Sequence, residues 1–260
     1  MAEKAQTTVG GLRAVELYYR RIRDISSGSV KFYQSQCRLN TPQMGVLMPE
    51  SFRDVCEVTT QCVELFRLEL IQAMLAAKKF QERDLVFDWV SVYMPVKFLT
   101  EPGAEKKVYE IFERYKTDSN RICFSLGEKL LEEVDGMAAD VIKKLRNSGY
   151  HFMVTNFGSN ACPLMRLTDF AVDYVMLSPE ITTYIGRDER SDGAVKAIID
   201  FVSGLGAEPI ADGVVNSTQA EKLFSFDCRF AAGTLSGKYM QERSVRRTSE
   251  EQESDEKSSS

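Results

Sequence analysis

The stretch that most limits how this chain can fold is its opening pair of strand-like segments. Residues 14–25 (AVELYYRRIRDI) and 30–37 (VKFYQSQC) both read as strands, joined by the turn Ser-Ser-Gly-Ser with Gly28 suited to its tight bend. So short a turn cannot make a parallel crossover, so one of the two strands must run against the other. Strand-like and helix-like segments then alternate. Cys62, Phe66, Leu70, Ala73, Met74 and Ala77 recur at helical spacing in a long helix read from about Arg53. Val108, Ile111, Phe112 and Tyr115 mark a second helix, and Val134, Ala138, Val141, Ile142 and Leu145 a third, with Gly149 as its stop. A short helical piece is read near 162–167. Ala194, Ile198, Phe201, Val202 and Leu205 mark a further helix, followed by a short one at 218–224. Between them LVFDWVSVYM, RICFSL, HFMVT, VDYVML, EPIA and CRFAAG read as strands. Helices between strands argue a parallel sheet, and eight strands argue its closure. The predicted fold is α/β: a TIM-barrel-like barrel of eight strands, one made antiparallel by the N-terminal hairpin.

Apolar residues form 43% of the 260, enough for one large core. The chain is divided into a flexible leader (1–12), one barrel domain (13–240) and a charged tail (241–260) too poor in apolar residues to order itself. The net charge of −5 gives no basic face for nucleic acid. No apolar run reaches the roughly 18 residues of a membrane span, and the start lacks a signal-peptide core, so a cytoplasmic protein is expected. The six cysteines include no C-x-x-C pair and read as reduced core thiols. His151 is the single histidine, which argues against imidazole-based metal sites and a Ser-His-Asp triad.

A family resemblance enters at KFYQSQCRLNTPQMGVLMPESF. Arg38, Gly45, Pro49 and Phe52 stand at the spacing of the EAL signature, E-A-L-L-R-W followed by G-x-x-x-P and F. The likeness continues in order from residue 16 to about 240. ELYYRRI resembles y-y-Q-P-I, SVYMP resembles V-N-L-S, and SLGE resembles E-x-T-E. TNFGS resembles D-D-F-G-T, and VDYVMLS resembles v-D-x-i-K-I-D. IADGVVNSTQAEKL resembles i-A-E-G-V-E-T-x-x-Q-x-x-x-L, and AAGTLSG resembles the closing Q-G-Y segment. The resemblance implies a barrel with one reversed strand, and in active relatives a phosphodiesterase that cuts cyclic di-GMP with Mg²⁺ or Mn²⁺.

Such chemistry needs several carboxylates to cage two divalent ions. The resemblance places Gln34, Tyr93, Ser125, Thr155, Asn156, Met176, Ser178, Val215 and Ala232 where the family carries acids, amides and a lysine. Asp212 stands where the family has the glutamate taken as the base. Glu128 matches a loop-steadying glutamate that holds no metal. The expectation is therefore a degenerate member with no catalytic residues, no metal and no cofactor. Arg38, at the place of the family's phosphate-contacting arginine, and Arg20, in place of its glutamine, are the candidate nucleotide contacts. The leading expectation is a non-catalytic regulator in bacterial signalling that, read as a stand-alone domain, acts by contact with an unidentified protein. A metal-independent cyclic di-GMP receptor is the first alternative and a residual phosphodiesterase the second. A homodimer is neither favoured nor opposed by the charge pattern.

Overall fold

The structure, a computed structural model, describes residues 8–9, 12–57, 59–132, 136–159 and 163–247. Eight strands build the barrel: β1 (Val15–Asp24), β2 (Val30–Thr41), β3 (Trp89–Tyr93), β4 (Ile122–Leu126), β5 (His151–Phe157), β6 (Tyr174–Leu177), β7 (Glu208–Ala211) and β8 (Phe230–Ala231). β2 through β8 pair in parallel with their neighbours in chain order. β1 closes the ring between β2 and β8, antiparallel to both. The closed, eight-strand α/β architecture with its reversed first strand is the one expected. Asp24 fixes the hairpin turn: its carboxylate accepts from Ser26 N–H at 2.9 Å, Ser26 Oγ at 2.5 Å and Ser27 N–H at 3.3 Å.

Side chains alternate along each strand, so every second residue enters the barrel. Ile22, Phe32, Trp89, Cys123, Met153, Met176, Ile210 and Phe230 fill its interior as one apolar layer. Phe32 stacks on Trp89 with centroids 4.1 Å apart. The alternate residues face outward, against helices α1 (Pro49–Glu57), α2 (Gln61–Glu82), α3 (Ala104–Tyr115), α4 (Met137–Asn147), α5 (Glu189–Gly204) and α6 (Ser217–Ser225). All six residues read as the apolar face of α2 are buried. Gly149 takes φ +87° just past α4, and the N–H groups of Gly149 and Tyr150 close on Arg146 and Leu145.

Two expectations shift. The single helix read from Arg53 is two, because α1 ends at Glu57 and α2 starts after Thr60. The boundary read at residue 240 falls too early. Met240–Gln241 forms a further short strand, β9, antiparallel to β1, and Val245 is fully buried. Residues 248–260 of the expected tail lie outside the described residues, as do most of the leader and Cys162; Thr8–Val9 and Leu12–Arg13 pair as a small separate sheet. Cys37, Cys62, Cys123 and Cys228 are buried and free, and Cys56 is half-buried. Among the described residues no helix is long and apolar enough to cross a membrane.

Candidate functional site

The C-terminal ends of the parallel strands form the barrel mouth, the place where such folds carry their chemistry. One step beyond the apolar layer, the same alternation delivers Gln34, Ser91, Ser125, Thr155, Ser178, Asp212 and Ala232, and Tyr93 follows one step beyond Ser91 at the rim. The strand register places part of the ring directly, with Tyr93 opposite Ser125 and Arg20 of β1 opposite Gln34. Met176 lies one layer lower, beside Ile210 in the interior.

The centre of the mouth is an ion pair. Arg20 Nη2 donates to Asp212 Oδ2 at 2.5 Å, across 192 residues of chain, with the two side chains only 13% and 15% exposed. Arg20 Nε donates to Gln34 Oε1 at 2.6 Å, and the Tyr239 hydroxyl donates to the same oxygen at 3.0 Å. The Tyr239 ring lies 4.8 Å from the guanidinium carbon. Gln34 Nε2 reaches the Met176 sulfur at 3.4 Å. Burial works against the Arg20 charge, but the neighbouring Tyr239 and Asp212 more than offset it and hold the guanidinium above its ordinary range. Burial likewise pushes the Tyr239 phenol up to about 12.

Asp212 is held by its own loop. Its Oδ1 accepts the Gly213 N–H at 2.6 Å, and its carbonyl accepts the Thr182 hydroxyl. Gly213 takes φ +79°, and a side chain there would run into Pro179. The stretch NSTQ starts α6 for a local reason. Asn216 Oδ1 accepts Gln219 N–H at 2.9 Å, and Gln219 Oε1 accepts Val215 N–H at 2.9 Å, close to a capping box.

The other rim positions are engaged separately. Tyr93 points its hydroxyl at Glu57 of α1, and the Arg53 guanidinium lies 4.3 Å from its ring. Burial, then Glu57, raises the Tyr93 phenol. Arg53 also meets Glu69 at 2.6 Å, a carboxylate only 1% exposed. Thr155 Oγ1 donates to the Leu126 carbonyl at 3.2 Å. Ser178 is fully buried, and its hydroxyl has no partner among the described residues. Asn156, at φ +62°, turns outward and bonds Ser159 at 2.9 Å. Glu128 brackets that loop, accepting from Gly158 N–H at 2.7 Å and Ser159 Oγ at 2.5 Å. Val215 is exposed and Ala232 is buried. Arg38 sits at the edge of the mouth with its guanidinium 3.7 Å from the Tyr18 ring, and it pairs with no carboxylate among the described residues.

The structure thus gathers Arg20, Gln34, Met176 and Asp212 into one cluster and leaves Asn156 and Val215 outside it. Sequence reasoning misses Tyr239, Arg53 and Glu69. Glu69 has a signal, since it interrupts the apolar face of α2 between Phe66 and Leu70, and a charge there implies a buried partner. Among the described residues no three His, Cys, Asp or Glu side chains cluster as metal ligands would. Among the described carboxylates at the mouth, Asp212 already holds a guanidinium, Glu57 accepts from Tyr93, and Glu128 from Gly158 and Ser159.

Comparison with known proteins agrees with this architecture. The EAL domain family model matches residues 4–239. The cyclic di-GMP phosphodiesterase RocR of Pseudomonas aeruginosa is 21% identical over 227 residues, which cover 87% of this chain. The chain spans 58% of RocR, so it corresponds to little more than half of that relative. Among solved structures, the EAL enzyme Bd1971 in its cAMP and cyclic di-GMP bound form superimposes with a TM-score of 0.80 at 21% identity. That match covers 88% of this chain and 63% of the other. The PaMucR phosphodiesterase in complex with c-di-GMP gives 0.77 at 18% identity, covering 88% and 92%.

Proposed function

This chain belongs to the EAL domain family, and we propose that it is a member that does not hydrolyse cyclic di-GMP and regulates signalling by contact with another protein in the cytoplasm. The observation that carries the proposal is the Arg20–Asp212 pair at the centre of the mouth. Two-metal hydrolysis needs a surplus of negative charge to hold the ions and acidify a water. Here the carboxylate at the strand ends is matched by a fixed positive charge 2.5 Å away. A divalent ion approaching Asp212 would meet that guanidinium, and the neutral Gln34, Thr155 and Ser178 offer oxygens without charge.

The test is incubation of the protein with cyclic di-GMP and Mn²⁺, with an active phosphodiesterase alongside. Linear dinucleotide at or below the protein-free blank is the expected result. Turnover within an order of magnitude or so of the active control would end the proposal and restore the enzyme reading.

A second reading is favoured by one observation: Arg38, stacked on Tyr18 and free of a carboxylate among the described residues, could offer its fork to a phosphate without metal. The solved neighbours with bound cyclic di-GMP make that nucleotide the ligand to try. Calorimetry in EDTA separates the readings. Micromolar binding that Arg38→Ala removes supports a metal-free receptor, and no heat at millimolar nucleotide removes it.

A further inference from the structure

We infer that residues 239–245 are a latch on the barrel mouth, such that release of this strap from the side of the barrel frees Arg20 from Asp212, and loss of the ion pair frees the strap. The inference holds whether or not the mouth turns anything over.

After β8 the chain does not leave the barrel. Tyr239 enters the mouth and joins the central cluster through Gln34 and the face of Arg20. Met240 and Gln241 then pair with Tyr19 and Tyr18, so the strap runs beside the two residues that precede Arg20 on β1. Gln241 Nε2 donates to Glu16 at 3.1 Å and to the Tyr18 hydroxyl at 3.2 Å. Glu242 reaches α2, where it meets Lys79 at 2.6 Å and Arg83. Val245 is the one fully buried apolar anchor of the segment.

These attachments are few and mostly polar. A solvent-open cleft of about 340 Å³ lies beside the strap, between β1 and α2, bordered by Glu16, Tyr19, Lys79, Gln241 and Glu242. The strap thus borders open space along Gln241 and Glu242, while Met240 and Val245 pack against the core at either side. Its outer clasp is partly solvated, with Lys79 47%, Arg83 27% and Glu242 23% exposed, so salt can weaken it. The inner end, Tyr239, is the strap side chain that touches the Arg20–Gln34 cluster. The inferred latch runs from the clasp to the mouth through that ring, and by linkage the mouth acts equally on the clasp.

Hydrogen exchange read by mass spectrometry on the full chain tests this. The readout peptides cover residues 208–216, which include the Gly213 amide bonded to Asp212, and residues 239–245. Glu242→Gln should speed exchange in 208–216 by roughly five-fold or more, and Arg20→Gln should speed exchange in 239–245 by a similar factor. In a Tyr239→Ala background, Glu242→Gln should add nothing in 208–216. Peptides from β4 and β5 should keep wild-type protection throughout, which shows that the barrel is intact. Exchange in 208–216 that stays at the wild-type rate in Glu242→Gln, with only the strap loosened, overturns the latch. Should that variant unfold, the wild-type protein taken to high NaCl gives the same reading. Unchanged exchange in 208–216, with the strap loosened by salt, would again overturn it.

Discussion

The interior of this barrel has two levels that follow from one alternation and are held together by different forces. The lower level is apolar and aromatic: Phe32 stacks on Trp89, and Tyr174 and Phe230 meet Phe32 edge-on. The upper level is largely polar, and at its centre Arg20, Gln34, Asp212 and Tyr239 satisfy one another. The lower level depends on shape, and a lost side chain there leaves a void. The upper level depends on charge matching, and a lost side chain there leaves an unpaired partner. The fold can therefore keep its core while the chemistry at its rim is replaced.

Four tests would break or sharpen this contrast. The largest effect should be Trp89→Ala, which empties the lower level and should cost about 3–5 kcal/mol in denaturant unfolding. A cost below about 1 kcal/mol would show that the lower level is not close-packed. Next is Arg20→Ala, expected to cost about 2–3 kcal/mol because it strands a mostly buried Asp212. Arg20→Ala with Asp212→Ala should recover part of that loss, and strict additivity of the two would contradict charge matching as the force at the rim.

Third comes Asp24, at the opposite end of the barrel. Burial raises its carboxyl, but the bonds from Ser26, Arg229 and Ser27 overcome this and leave it below its ordinary value. A depressed carboxyl contributes stability that is present above its unfolded value of about 3.9 and lost as pH falls through the folded value. Asp24→Asn should cost about 1–2 kcal/mol at pH 7, and the gap from wild type should narrow in acid below about pH 4. A gap independent of pH would assign the effect to shape. The smallest effect should be Lys196→Ala, which removes an exposed pair with Asp200 one helical turn away and should change stability by less than about 0.5 kcal/mol.

Much of the lower level is legible in the sequence, because period-two strands and period-3.6 helices announce which side chains turn inward. The short turn Ser-Ser-Gly-Ser by itself dictates that β1 runs against β2. The break between α1 and α2 is not legible, since only Phe52 of α1 is buried and no strong breaker stands before Gln61. The replacement of rim acids by Gln34, Thr155 and Ser178 can be read by resemblance, but the bond from Arg20 to Asp212 cannot. No local pattern links residues 192 apart. The polar run after 240 conceals the strap in the same way: its order comes from backbone pairing with β1, two charges at the C-terminal end of α2 and the single buried Val245. Those are tertiary causes, invisible to composition.

Gly233 carries one more consequence. Its φ of +136° and the backbone of Val214 pressed against it leave no room for any side chain, so the crossing of two rim loops is main chain on main chain. The crossing itself owes its course to no side chain, although Asp212 also holds its loop through the Gly213 N–H. A designer could thus vary the residues of the opening that bond no loop backbone and expect this crossing to stay where it is, with Gly213 and Gly233 as positions closed to any side chain.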